Sequence, residues 1–288
     1  LSHSSAASDV YKRQLLKTPN LDTMAKSGLR MDRFYAGAPS CTPTRATVLT
    51  GRSNDRTGAF RVGSYLNKQE KVVSTAFKEA GYKTGHFGKW HLNRVGTEEA
   101  LKDHPLPADD PHNPGEFSFD YWLSHTSGWD LDPELSRNGN REQFKGEGSV
   151  VIVDEALEFI AREASDNTPV FVVIWYSSPH GPWAASDEDI APFLGKVDRT
   201  SAHAHGEIVA IDRSIGNLRQ GLKDLGIADD TLIWFTSDNG GSPNLDVRVW
   251  PSEEKFGGAG GHGIEMEYPS DCSDQIDPDL TSFEARDL

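Results

Sequence analysis

The sequence predicts an α/β sandwich around a mostly parallel sheet, on three observations. Short apolar runs rich in β-branched and aromatic residues alternate with longer stretches whose apolar residues recur at helical spacing. The strongest run, residues 170–176, is continuously apolar, as a parallel strand covered on both faces should be. The residue types that carry chemistry fall just beyond the predicted strands, in the crevice where open α/β sheets bind ligands.

The elements follow in order. Thr18 caps a first helix and Pro19 starts it; Leu21, Met24 and Ala25 mark its apolar face, and Gly28 ends it. Residues 29–36 read as a strand leading to Cys41. Thr42 then reads as an N-cap, Pro43 as the first helical position and Gly51 as the stop. That places Cys41 just ahead of a helix N-terminus, where backbone N–H groups favour negative charge. Arg45, in the same helix's first turns, can point back toward it. On these residues alone, a well-capped helix behind a buried cysteine explains the pattern equally well.

Residues 72–80 read as a helix stopped by Gly81, and residues 82–87 as a short strand. Residues 93–148, rich in Asp, Pro, Gly, Asn and Trp without a clear period, read as a long excursion of functional loops. Residues 150–164 form a helix with Val153, Ala156, Leu157 and Ile160 on one face. A second long helix carries Ile208, Ile211, Ile215, Leu218 and Leu222, and residues 231–236 read as the next strand.

Composition narrows the classes. The chain has 288 residues, 36% hydrophobic and 25% charged, which fits one large folded domain or part of a larger one. Its net charge of −15 argues against nucleic acid as a partner and requires local cations for any anionic substrate. Residues 263–288 hold eight acids and one base, so much of that charge sits at the end. No apolar run is long enough to span a bilayer, and no secretory signal is visible. Two cysteines, Cys41 and Cys272, make no disulfide framework, although a bond between them is the plain structural alternative.

Four motifs stand out. Cys41-Thr42-Pro43-Thr44-Arg45 is followed by Leu49-Thr50-Gly51-Arg52. Gly88-Lys89-Trp90-His91-Leu92 places a cation and an imidazole two residues apart. Ser177-Ser178-Pro179-His180-Gly181-Pro182 holds a histidine between prolines, and Ser237-Asp238-Asn239-Gly240 pairs a carboxylate with an amide. Each has an ordinary structural explanation: a buried cysteine, a surface lysine, a proline-bounded turn, a hairpin turn.

Taken together and in this order, the motifs resemble those of the formylglycine-dependent sulfatases of the alkaline-phosphatase-like superfamily. Thr44 is a mild departure, since serine is commoner there. The resemblance implies a three-layer α/β/α sandwich, here truncated at both ends. It implies sulfate-ester hydrolysis by a formylglycine made from Cys41, with Arg45 stabilising the diol, Lys89 and His180 binding sulfate and His91 acting as base. His86 matches no family role. One Ca2+ ion per site would be held by residue 41, Asp238 and Asn239, carboxylate and amide oxygens being what a hard cation takes. The implied partners are a sulfated small molecule or glycan and a formylglycine-generating or other maturing enzyme. The implied setting of the parent protein is secreted, periplasmic or lysosome-like. A phosphonate or phosphodiester hydrolase of the same superfamily is the nearest alternative, and a non-catalytic binding domain a further one. Trp122, Trp129 and Trp183 are candidates for stacking on a sugar or aryl ring, and equally for packing.

The chain also departs from the family pattern. Residues 1–14 resemble translated adapter sequence and stand where the family has a strand ending in paired aspartates; residues 15–262 form a partial catalytic domain, and residues 263–288 an acidic tail. Lys255 is a weak stand-in for the lysine expected after Gly241. These departures predict that the chain as written turns over poorly or not at all.

Overall fold

A computed structural model describes residues 15–93, 106–129, 131–164 and 168–240. The proposed leader and acidic tail, together with Lys255 and Cys272, lie outside the described residues.

Five strands form one sheet in the order β4-β3-β2-β1-β5, where β1 is Lys83–Lys89, β2 Tyr121–His125, β3 Glu134–Arg137, β4 Asn140–Gln143 and β5 Val170–Trp175. β1 runs parallel to both β2 and β5, with Lys89 opposite His125 and Gly88 opposite Trp175. β3 and β4 add an antiparallel edge. The described part of residues 93–148 therefore holds three strands that their mixed polarity hides: β4 is exposed throughout and β3 buries only its two middle residues.

β5 shows how the three layers arise. Strand side chains alternate between faces. Phe171, Val173 and Trp175 pack with Ala46, Leu49, Val72 and Trp90, the layer built by α2 (Cys41–Thr50) and α3 (Val73–Glu79). Val170, Val172 and Ile174 pack with Ile152, Phe159, Leu218 and Leu222, the layer built by α4 (Gly148–Ala164) and α6 (Arg199–Asp224). The predicted α/β/α sandwich is present. β5 is nevertheless half-buried along its length, because β1 is its one hydrogen-bonded neighbour among the described residues.

α1 (Pro19–Ser27) ends at Gly28 as expected, but Thr18 makes no capping bond. Asp212 of α6 does that work: its carboxylate accepts from the backbone N–H of Asn20 at 3.2 Å and of Leu21 at 2.8 Å. A carboxylate at a helix N-terminus satisfies orphan donors and meets the positive end of the dipole. Residues 29–36 and 231–236, predicted as strands, form no ladder among the described residues. Leu29 and Leu232 are 87% and 86% exposed, so these segments have the strand pattern without a pairing partner. A short helix, α5 (Asp187–Ile190), lies between β5 and α6. No helix among the described residues is long and apolar enough to cross a membrane.

Candidate active site

α2 begins two residues earlier than the sequence predicts. Ser40 is the N-cap, Cys41 the first helical residue and Pro43 the third. Thr42 does not cap, because its hydroxyl donates to the carbonyl of His91 at 2.9 Å instead. Gly51 stops the helix in the left-handed region (φ 65°), with its N–H on the Thr47 carbonyl at 2.9 Å, as only a residue without a Cβ adopts easily. Cys41 is thus a free, buried thiol on the first turn, tied by its neighbour directly to the Lys89–His91 segment.

Three cationic or imidazole side chains reach toward Cys41. Lys89, the last residue of β1, donates from Nζ toward Sγ at 3.7 Å. His180, on the loop after β5, hydrogen-bonds the thiol. Its Nδ1 lies 2.7 Å from the Gly181 carbonyl, which can only accept, so Nδ1 carries a proton and Nε2 is the ring's other hydrogen-bonding atom. Arg45 donates to the Lys89 carbonyl and to Asp238 Oδ2, both at 2.8 Å, and its guanidinium lies 4.8 Å from the Trp175 ring centroid.

The electrostatics follow from that clustering. Burial pushes the Cys41 thiol up, yet the His180 hydrogen bond and the charges of Lys89 and Arg45 outweigh it and Asp238, so its pKa falls below the ordinary value. Burial and the Arg45 charge lower Lys89 despite Cys41 and Asp238 nearby. His91 is pushed down to about 2 by burial, then by Lys89, Arg45 and His180. Its ring is therefore neutral, and neither nitrogen has a hydrogen-bond partner. Its backbone sits at φ 55° and donates to the Thr126 carbonyl at 3.0 Å.

The structure brings Cys41, Arg45, Lys89, His180 and Asp238 into one contact network and sets His91 in its field. Asn239 follows Asp238, with its Nδ2 on the Gly240 carbonyl at 2.7 Å and its Oδ1 buried without a partner. These are hard oxygen donors of the kind calcium takes. They supply only part of a shell of about six to eight oxygens. Among the described residues no group of three or more His, Cys, Asp or Glu could hold a metal ion.

Some residues were not legible as site residues. Trp175 lies under Arg45 within the apolar run 170–176, which reads as a parallel strand; its position at that strand's carboxyl end was the available signal. Trp122 is core, 5% exposed. Trp129 and Trp183 are half-buried beside the site loops, Trp129 through its N–H on Ser177 Oγ at 2.9 Å and Trp183 through its indole N–H toward the Pro179 carbonyl at 3.4 Å. A groove of about 540 Å³ between α1 and residues 228–236 contains none of the candidate chemical residues.

Residues 2–268 match the family model described as Sulfatase. The chain belongs to the sulfatase family. It is 31% identical to the N-acetylgalactosamine-6-sulfatase of Canis lupus familiaris over 256 residues, covering 80% of this chain and 47% of that protein. It is 28% identical to the ulvan-active sulfatase of Formosa agariphila, covering 78% of this chain and 46% of that one. A solved structure of Ps i-CgsB in complex with k-i-k-neocarrahexaose superposes with a TM-score of 0.72 at 26% identity, covering 86% of this chain and 59% of that one. The chain thus spans about half the length of these curated sulfatases.

Proposed function

We propose that this chain carries the nucleophile-bearing part of a sulfuric-ester hydrolase acting on a sulfated glycan. The observation that supports it most is the convergence of Lys89 and His180 on Cys41, in a chain whose net charge is −15. Such a local reversal of sign is what an anionic sulfate group needs. The glycan is in keeping with relatives named for ulvan and N-acetylgalactosamine. We place the parent enzyme in a secreted, periplasmic or lysosome-like setting.

A hydrated formylglycine at position 41, made by a maturing enzyme, would supply the oxygen nucleophile, and Ca2+ held by residue 41, Asp238 and Asn239 a Lewis acid beside it. In this reading Arg45 holds positive charge next to residue 41, and Lys89 binds the sulfate oxygens from below. His180 binds sulfate from the solvent side and gives its proton to the leaving alcohol oxygen as the S–O bond breaks. His91, kept neutral, takes a proton at a ring nitrogen when sulfate is released. The anionic ester offsets the surrounding cations and raises the basicity of His91 at that stage.

Co-expression with a formylglycine-generating enzyme tests the reading. Conversion of the Cys41 peptide in this chain, seen by mass spectrometry, and calcium-dependent turnover of an aryl sulfate by the longer parent enzyme are expected. A persistent thiol, or faster turnover of the matched phosphate ester, would overturn it.

A further inference from the structure

We propose that Trp175 is a positioning residue: its indole face, backed by Trp90 and His86, fixes the Arg45 guanidinium beside residue 41. The inference rests on the reading above that Arg45 acts electrostatically on that residue.

The guanidinium plane is held only at its outer edge. One terminal nitrogen donates to the Lys89 carbonyl and the other to Asp238, both at 2.8 Å, while Nε is buried without a partner. Two bonds along one edge leave the group free to tilt about that edge. The Trp175 ring, 4.8 Å from Cζ, closes that direction, and a desolvated arginine over an indole is the favourable form of this contact. Asp238 is not sufficient alone, since its side chain is 35% exposed against 6% for Arg45.

Trp175 itself cannot retreat. Alternation along β5 turns it to the α2 side, as Phe171 and Val173 are turned. Behind it Trp90 stacks at 6.1 Å and 25°, and His86 meets it edge-on at 5.2 Å and 84°. His86 is locked in turn by Ser124 Oγ at 2.7 Å from Nδ1. Nothing in the Cys-x-Pro-x-Arg run requires a tryptophan at the end of a strand 130 positions later. The ring belongs to the sheet and acts through the arginine.

The test uses the full chain with Cys41 unmodified. Alkylation rates of the Cys41 peptide by anionic iodoacetate and neutral iodoacetamide are measured by mass spectrometry. Their ratio cancels the thiolate fraction and reports positive charge at Sγ. Trp175→Leu is expected to lower the ratio about threefold, Trp175→Phe to keep it near wild type, and Trp175→Leu to add nothing in an Arg45→Gln background. Trp175→Met, which keeps apolar volume without a ring face, replaces the leucine variant if that melts early. An unchanged ratio in Trp175→Leu, with a fall in Arg45→Gln, overturns the proposal and leaves the Arg45 reading standing. An unchanged ratio in Arg45→Gln removes both. An equal fall with and without Arg45 shows that the ring acts by another route, and also overturns the proposal.

Discussion

Arg45 and Asp238 form an ion pair at 2.8 Å across 193 positions of sequence. It joins the second turn of α2 to the segment after α6 and is the one charged link, among the described residues, between the Cys41 helix and the Asp238-Asn239 pair. Asp238→Ala should leave a nearly buried arginine with the Lys89 carbonyl as its one remaining hydrogen-bond acceptor among the described residues. The expected loss is about 1–3 kcal/mol, below the cost of breaking a fully buried pair because Asp238 is partly wet. Urea unfolding with an unchanged m-value measures it; a loss within error means the pair is dispensable.

Lys89 should matter to chemistry more than to stability. Lys89→Met keeps the buried stem and removes the charge facing Sγ. In the longer parent enzyme, turnover of an aryl sulfate, normalised to the converted fraction of Cys41, should fall about a hundredfold, as when one preorganised electrostatic partner is removed. Retained turnover would remove Lys89 from the site.

Acid should unfold the protein from a window set by two histidines. His91 falls from 6.5 to about 2 in the folded state, and His86 falls well below 6.5 through burial and then the Arg45 charge. Below pH 6.5 the unfolded chain binds protons that the folded chain refuses, so stability drops as pH falls from there toward 2. A melting-temperature series in His91→Gln should show a shallower loss over that window. A parallel curve would mean His91 contributes nothing to it.

Phe87 is fully buried between β1 and α4, against Phe159 and Leu123. Phe87→Ala should cost about 3–5 kcal/mol by lost transfer energy and a residual cavity, read from urea midpoints. A cost below 1 kcal/mol would mean that the cavity collapses.

Much of this was legible in the sequence. The helices at 19–27, 73–79, 148–164 and 199–224 follow from glycine stops and apolar spacing, because those signals are local. The strands β3 and β4 were not legible, since a wet antiparallel edge needs no apolar run. Residues 231–236 erred the other way. They alternate inward Ile233 and Phe235 with outward Leu232 and Trp234, yet a ladder depends on a partner that periodicity does not report. At the site, residue identities were readable from motif order. The capping of α2 was not, because the Thr42 hydroxyl chose a carbonyl 49 positions away over its own helix. The Trp175 contact is likewise a product of register.

The pairing of β1 with β5 has a kinetic consequence. Lys83 meets Val170 in parallel register, so pairing the two strands closes a loop over the whole intervening stretch. Parallel pairing at such separation costs loop entropy before any contact repays it. The pocket around Cys41 draws on the far ends of both strands and on Asp238 beyond them. It should therefore be among the last parts of the molecule to assemble and among the first to open.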